Sequence, residues 1–151
     1  CNPQTIPSLI QNRNCEIETR ALFNRNNLNV PFYSGEDPTL AQIFYTESVT
    51  DEKTGKILYP QHVVKTVDTM LEEHNAPTDI DYISIDTEGS ELFIVTVFDF
   101  AKYNVNYWTI EVNEEEPYHT EALKYLRRFF YYHGYESEMR KWDLFVWKQY
   151  D

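Results

Sequence analysis

Three carboxylates draw attention because each lies at or just past the end of a run that reads as a β-strand. Ile80-Asp81-Tyr82-Ile83-Ser84-Ile85 leads into Asp86-Thr87-Glu88-Gly89-Ser90-Glu91, and Tyr107-Trp108-Thr109-Ile110 leads into Glu111-Val112-Asn113. In open α/β sheets, ligands bind beyond the carboxyl ends of the strands. Successive strands of a parallel sheet are often neighbours. Asp86, Glu88 and Glu111 are therefore expected to face one pocket. Carboxylates placed this way can take a proton from a hydroxyl, hold a cation or ligate Mg²⁺ through oxygen. Gly89 would let the backbone approach a ligand closely. Each residue also has a structural use. Asp86 or Thr87 can cap the following helix, and Glu88 and Glu91 can complement its dipole. Glu111 can be a solvated strand end. His119 follows the second strand end and could reach the pocket as a base. Glu114-Glu115-Glu116 reads as a solvated loop.

The elements that must position these groups follow from periodicity. Ile6, Leu9 and Ile10 have helical spacing, with Pro7 in the first turn and Asn12-Arg13-Asn14 as the stop. Cys15–Phe23 begins in period-two alternation and reads as a strand. It forms a hairpin with Asn29–Tyr33 across the turn Asn24-Arg25-Asn26-Asn27. Within Ser34–Pro60, the turn chemistry of residues 51–56 suggests a hairpin or loop between Ile43–Val49 and Lys56–Tyr59. His62–Thr66 is β-rich, and Asp68 is placed to cap a short helix, Thr69–His74, that Asn75-Ala76-Pro77 stops. The β-branched run up to Ile85 suits a strand covered on both faces. Leu92–Phe98 and Thr120–His133 read as helices, the second with Leu123, Leu126, Phe129 and Phe130 on one face and Gly134 at its end. Tyr135–Arg140 and Leu144–Trp147 form a closing antiparallel pair. Strands alternating with helices make an α/β fold.

Composition narrows the function. The chain has 151 residues, 42% of them hydrophobic and 16% aromatic, which suits one domain, 1–151, with a core of large side chains. Thirteen Lys and Arg against 25 Asp and Glu give a net charge of −12 without a basic cluster, which argues against nucleic acid and anionic lipid as partners. No apolar run approaches the ~20 residues of a membrane span. No signal peptide is visible, which favours a cytoplasmic location. Two cysteines, Cys1 and Cys15, are too few for a disulfide framework or a zinc cage. Cys15 reads as a small strand hydrophobe, and the tryptophans as core.

The run Asp81-Tyr82-Ile83-Ser84-Ile85-Asp86-Thr87-Glu88-Gly89-Ser90-Glu91 resembles the hallmark of FkbM-type methyltransferases, which use S-adenosylmethionine. Other segments agree in order and spacing. Cys1-Asn2-Pro3 is similar to the Pro-Asn-Pro after the family's second strand, and Ala21-Leu22 to the pair ending its third. Thr66-Val67-Asp68 resembles the Thr-Leu-Asp before its next helix. Glu111-Val112-Asn113 resembles a Glu-His-Asn at the fifth strand, with Val112 in place of the His. Gly134-Tyr135 resembles the Gly-Tyr that opens the closing strand pair. The family's opening strand, its Gly-rich cofactor loop and its ribose-binding acid would precede Cys1, and no Gly-x-Gly occurs in the chain.

The resemblance implies a Rossmann-like class I methyltransferase sheet, N-terminally incomplete, with a closing antiparallel strand pair. It implies methyl transfer from S-adenosylmethionine to a hydroxyl of a sugar or other small acceptor, with no resident metal. Asp86 and Glu88 would lie at the pocket floor near cofactor and acceptor, and Glu111 would bind or deprotonate the acceptor. Asn2, Ala21 and Leu22 would touch the cofactor near its adenosine. Two alternatives stay open: a metal-dependent hydrolase holding Mg²⁺ through Asp86, Glu88 and Glu111, and a non-catalytic incomplete domain. On the same reading, residues 1–151 alone would bind the cofactor weakly and tend to associate, because a central strand of the sheet is absent.

Overall fold

The computed structural model describes residues 5–33, 42–43, 61–112 and 117–149. The chain divides into two compact units: Cys1–Asn75 with Glu88–Val97, and Ala76–Thr87 with Phe98–Asp151. The fold is mixed α/β.

The first unit opens with α1 (Ile6–Asn12), which carries a Pro near its start and ends in extended backbone at Arg13. The strands β1 (Leu28–Tyr33), β2 (Gln42–Ile43) and β3 (Gln61–Val64) form a sheet in the order β2-β1-β3, with both pairings antiparallel. Cys15–Phe23 is not a strand, and the expected hairpin with Asn29–Tyr33 does not form. This segment makes only an isolated parallel bridge, Leu22 to Lys65, and β1 pairs with β3 instead. The alternation that suggested a strand is spent on charges: Glu18 and Arg20 pair with Lys65 and Glu73 rather than lining a sheet face. Cys15 is an exposed free thiol, not a core hydrophobe. Ala21, Phe23, Val30 and Val64 make a small buried cluster, flanked by Leu28, Ile43 and Phe93. Apart from Gln42 and Ile43, the hairpin expected within Ser34–Pro60 lies outside the described residues.

Helix α2 (Val67–Glu73) starts earlier than expected. Its cap is Thr66, whose hydroxyl accepts from the Thr69 amide at 3.3 Å, so Asp68 sits inside the first turn. Asn75 ends it with φ 51°, the left-handed conformation an asparagine tolerates, and Pro77 follows. Helix α3 (Glu91–Val95) is capped by neither Asp86 nor Thr87. Ser90 holds the cap position without a side-chain bond.

The second unit contains β4 (Asp79–Ile85), β5 (Asn104–Glu111), α4 (Pro117–Tyr132), β6 (Tyr135–Arg140) and β7 (Asp143–Lys148). The sheet order is β4-β5-β7-β6; β4 and β5 run parallel, and the other pairings are antiparallel. The parallel pair and the closing antiparallel pair are both as the sequence predicts. Burial of β4 is not: it is an edge strand among the described residues, with Tyr82 53% exposed and only Ile85 buried. Its run is β-branched but still alternates. Tyr82 hydrogen-bonds Thr109, and the Thr109 hydroxyl bonds Ser84 at 3.0 Å, forming a polar ladder on one face.

On β5 the same alternation continues across the parallel register. Trp108 and Ile110 are buried, whereas Tyr107 is half exposed. Leu123, Leu126 and Phe130 of α4 are buried at helical spacing, and Phe130 packs on Trp108 with ring centroids 5.5 Å apart. Phe98 and Phe100 complete this cluster, Phe98 edge-on to Trp108 at 4.8 Å. Of the tryptophans, Trp108 is core, but Trp142 is 62% exposed in the β6–β7 turn. The described residues contain no helix long and apolar enough to cross a membrane.

Candidate functional site

The parallel register places the acidic strand ends. Ile85 of β4 pairs with Ile110 of β5, so the next residues, Asp86 and Glu111, lie side by side at the carboxyl end of the pair. A carboxylate oxygen of Asp86 lies within 4.8 Å of one of Glu111. Asp86 is exposed and Glu111 half-buried, so a solute can reach the pair. Register across β7 adds a residue that the sequence reading did not single out. Asp143 stands directly opposite Glu111. Only the two-residue β6–β7 turn reveals this, because Arg140 pairs with Asp143 and thereby sets the count along β7. Negative charge therefore gathers at this end of the sheet, as suits a cationic centre or a hydroxyl donor.

Val112 cannot supply the base that a histidine would offer there. It is 2% exposed, and its amide donates to the Trp142 carbonyl at 2.6 Å, fixing the end of β5 to the closing hairpin. His119 lies in α4. Asn113 and the run Glu114–Glu116 lie outside the described residues.

Glu88 opens the second segment of the first unit, two residues beyond Asp86. It and Gly89 both have positive φ, 55° and 109°. A non-glycine residue in that region costs roughly 1 kcal/mol, and such strain concentrates at functional turns. At Gly89 the positive φ requires glycine, while a Cβ there would meet no protein atom within 4 Å. Its amide donates to the Glu91 carboxylate at 3.0 Å. Glu91 is buried and thereby committed to holding the turn.

Ala21 and Leu22 lie in the first unit. The Ala21 methyl belongs to the buried cluster, while Leu22 is half-buried. Asn2 lies outside the described residues. Lys65 grips the segment from both sides: its amide donates to the Ala21 carbonyl at 3.1 Å, and its carbonyl accepts from the Phe23 amide at 2.8 Å. The Lys65 side chain, 2% exposed, pairs with Glu18 and Glu73, and Arg20 pairs with the same two carboxylates. Burial pushes the Glu18 carboxyl up, but hydrogen bonds from Arg20 and Lys65 outweigh it and hold the group far below the usual carboxylate range. Sequence reasoning missed this network. Its only signal was a lysine breaking the β-rich run His62–Thr66.

A second concavity, about 590 Å³, lies on the sheet face bearing Tyr82, Tyr107 and Thr109, with Phe145, Trp147 and Arg140 around it. Neither Asp86 nor Glu111 lines it, so it is separate from the acidic strand ends.

Comparison with known proteins assigns the chain. No curated protein and no solved structure matches it. The model of the methyltransferase FkbM domain matches residues 6–137, which include Asp86, Glu88, Glu111, Ala21 and Leu22. That match spans most of the chain, and the protein belongs to the FkbM methyltransferase family.

Proposed function

We propose that the protein transfers a methyl group from S-adenosylmethionine to a hydroxyl of a small acceptor, with a sugar as the favoured class. The observation carrying this reading is the Asp86–Glu111 carboxylate pair at the ends of adjacent parallel strands, inside a chain of methyltransferase family. The family match runs through both compact units, which supports reading residues 1–151 as one methyltransferase-like domain with a Rossmann-like sheet.

The donor set fits the cofactor chemically, because paired carboxylates suit a sulfonium cation. When bound, the cofactor supplies an electrophilic methyl for in-line displacement. Asp86 stabilises the positive charge, which aids binding more than rate. Glu111 accepts a hydrogen bond from the acceptor hydroxyl and can take its proton as the oxygen attacks. Positioning two reactants is the larger part of such catalysis.

On the full-length gene product, Asp86→Ala is expected to lower methyl transfer at subsaturating cofactor about tenfold, through weaker cofactor binding. The melting temperature should barely move, since Asp86 is exposed and caps no helix. Equal losses of activity and stability would mark Asp86 as structural. The same two oxygens also suit Mg²⁺ as a ligand pair. Cofactor binding that survives a chelator separates the two readings.

A further inference from the structure

The acidic pair and the aromatic concavity share one face of the second unit's sheet. Side chains alternate between faces along a strand, so Tyr107, Thr109 and Glu111 point the same way on β5, as do Tyr82 and Ser84 on β4. Register then stacks them in rows. Tyr82, Tyr107 and Trp147 are paired directly across β4, β5 and β7, and Ser84, Thr109 and Phe145 make the next row. Glu111 and Asp143 follow, with Asp86 beside Glu111. The opposite face of β5 is packed, burying Trp108 and Ile110. On this face Tyr82 and Tyr107 remain 53% and 51% exposed. Neighbouring exposed rings of that size mark a binding surface.

The surface does not suit an apolar partner. The Tyr82 phenol bonds Thr109, and Thr109 donates to Ser84 at 3.0 Å, so hydroxyls run through the middle of it. Nor does it suit an anion. The lining cation, Arg140, pairs with Glu138 at 2.6 Å and lies over the Phe145 ring, and Asp81 adds a carboxylate to the lining. Flat rings with hydroxyls between them fit a neutral ligand whose faces are C–H and whose edges are hydroxyl, which describes a sugar ring. The concavity, about 590 Å³, has the size of a small-ligand pocket. We infer that this face is a saccharide platform, on which a neutral oligosaccharide stacks against Tyr82, Tyr107 and Trp147. From Tyr107 to Glu111 is four residues of strand, about 13 Å. That exceeds one sugar ring, so only a chain of rings seated on the platform also reaches the Asp86–Glu111 pair. Identifying the bound chain as the methyl acceptor rests on the proposed function; the platform itself does not.

The test is an array of monosaccharides, neutral oligosaccharides and sialylated oligosaccharides, probed with the full-length gene product and followed by titration of the strongest binder. Neutral oligosaccharides should bind, with their monosaccharides and sialylated counterparts about tenfold weaker. Tyr107→Ala should weaken the strongest binder about tenfold, the scale of one lost aromatic contact. Tyr107→Phe, which keeps the ring, should stay within about threefold. Tyr82→Ala, on the neighbouring strand, is the second variant and should match Tyr107→Ala. Tyr131→Ala removes an exposed ring from α4 and should leave glycan affinity within about twofold. Affinity for S-adenosylmethionine, titrated alongside, should stay within about twofold in all of them. An array that shows no glycan binding, binding of sialylated chains alone, or equal affinity in wild type, Tyr107→Ala and Tyr82→Ala overturns the inference. The proposed function then stands with another hydroxyl acceptor. Glycan binding that Tyr107→Ala weakens, in a product that binds no S-adenosylmethionine, upholds the platform and overturns the proposed function.

Discussion

The two compact units are stabilised by different physics. In the second, Phe98, Phe100, Trp108, Phe130 and Tyr135 form a chain of edge-on and tilted rings with centroids 4.8–5.9 Å apart, sealed by the apolar face of α4. The buried Tyr135 phenol is satisfied as well, donating to the Val105 carbonyl at 2.7 Å. In the first, the apolar cluster is small, and a lysine with two carboxylates and an arginine does what a strand ladder would otherwise do. Area-driven cores tolerate pH and salt; charge clamps respond to acid and to the loss of any one partner. The acidic strand ends belong to the second unit's sheet, so Asp86 and Glu111 are set by its hydrogen-bonded register.

This contrast can be broken or sharpened by mutation. The largest effect is expected in the ring cluster. Trp108→Ala removes a side chain 1% exposed and should cost about 3–5 kcal/mol, read as a fall in the urea midpoint. Lys65→Met should cost about 2 kcal/mol, less than a fully orphaned buried charge, because Arg20 still pairs with Glu18 and Glu73 is partly solvated. The clamp also predicts a pH signature. The Glu18 carboxyl is depressed in the folded state, so its stabilisation is complete above the unfolded carboxylate value of ~4.3 and fades as pH falls below it. Urea unfolding of wild type and Glu18→Gln should therefore differ at pH 7 and converge toward pH 2. Gly89→Ala should cost about 1 kcal/mol through its positive φ alone, since a methyl there meets no neighbour. Glu121→Gln, which breaks an exposed pair with Lys124, should change stability by no more than about 0.3 kcal/mol.

The same contrast explains which features the sequence made legible. The parallel pair β4–β5, the helix with Leu123, Leu126 and Phe130, and the closing hairpin are written in apolar periodicity, and the structure contains all three. The meeting of Asp86 and Glu111 follows from those strands without further information. Cys15–Phe23 misled because alternation of charged with apolar residues looks the same whether the charges face water or each other. The partners of Glu18 and Arg20 lie 47 and 53 residues away, at Lys65 and Glu73, beyond any local pattern. The cap of α2 was displaced by two residues for a similar reason. Thr66 and Asp68 are both good caps, and the Asn26 side chain accepting from the Thr66 amide at 2.9 Å favours the earlier one. Gly89 was legible as a special residue, but its positive φ depends on the turn around it and not on any local pattern.

The central claim is that Asp86 faces the cationic centre of the bound cofactor. S-Adenosylmethionine carries that positive charge, and its demethylated product, S-adenosylhomocysteine, does not. The direct measurement is the dissociation constant of each for the full-length gene product, wild type and Asp86→Asn, by isothermal titration. Loss of the carboxylate charge should weaken S-adenosylmethionine about tenfold, roughly 1.4 kcal/mol, and leave S-adenosylhomocysteine within about twofold. Equal weakening of both ligands, or no change in either, would contradict the assignment of Asp86 to the methyl-transfer site.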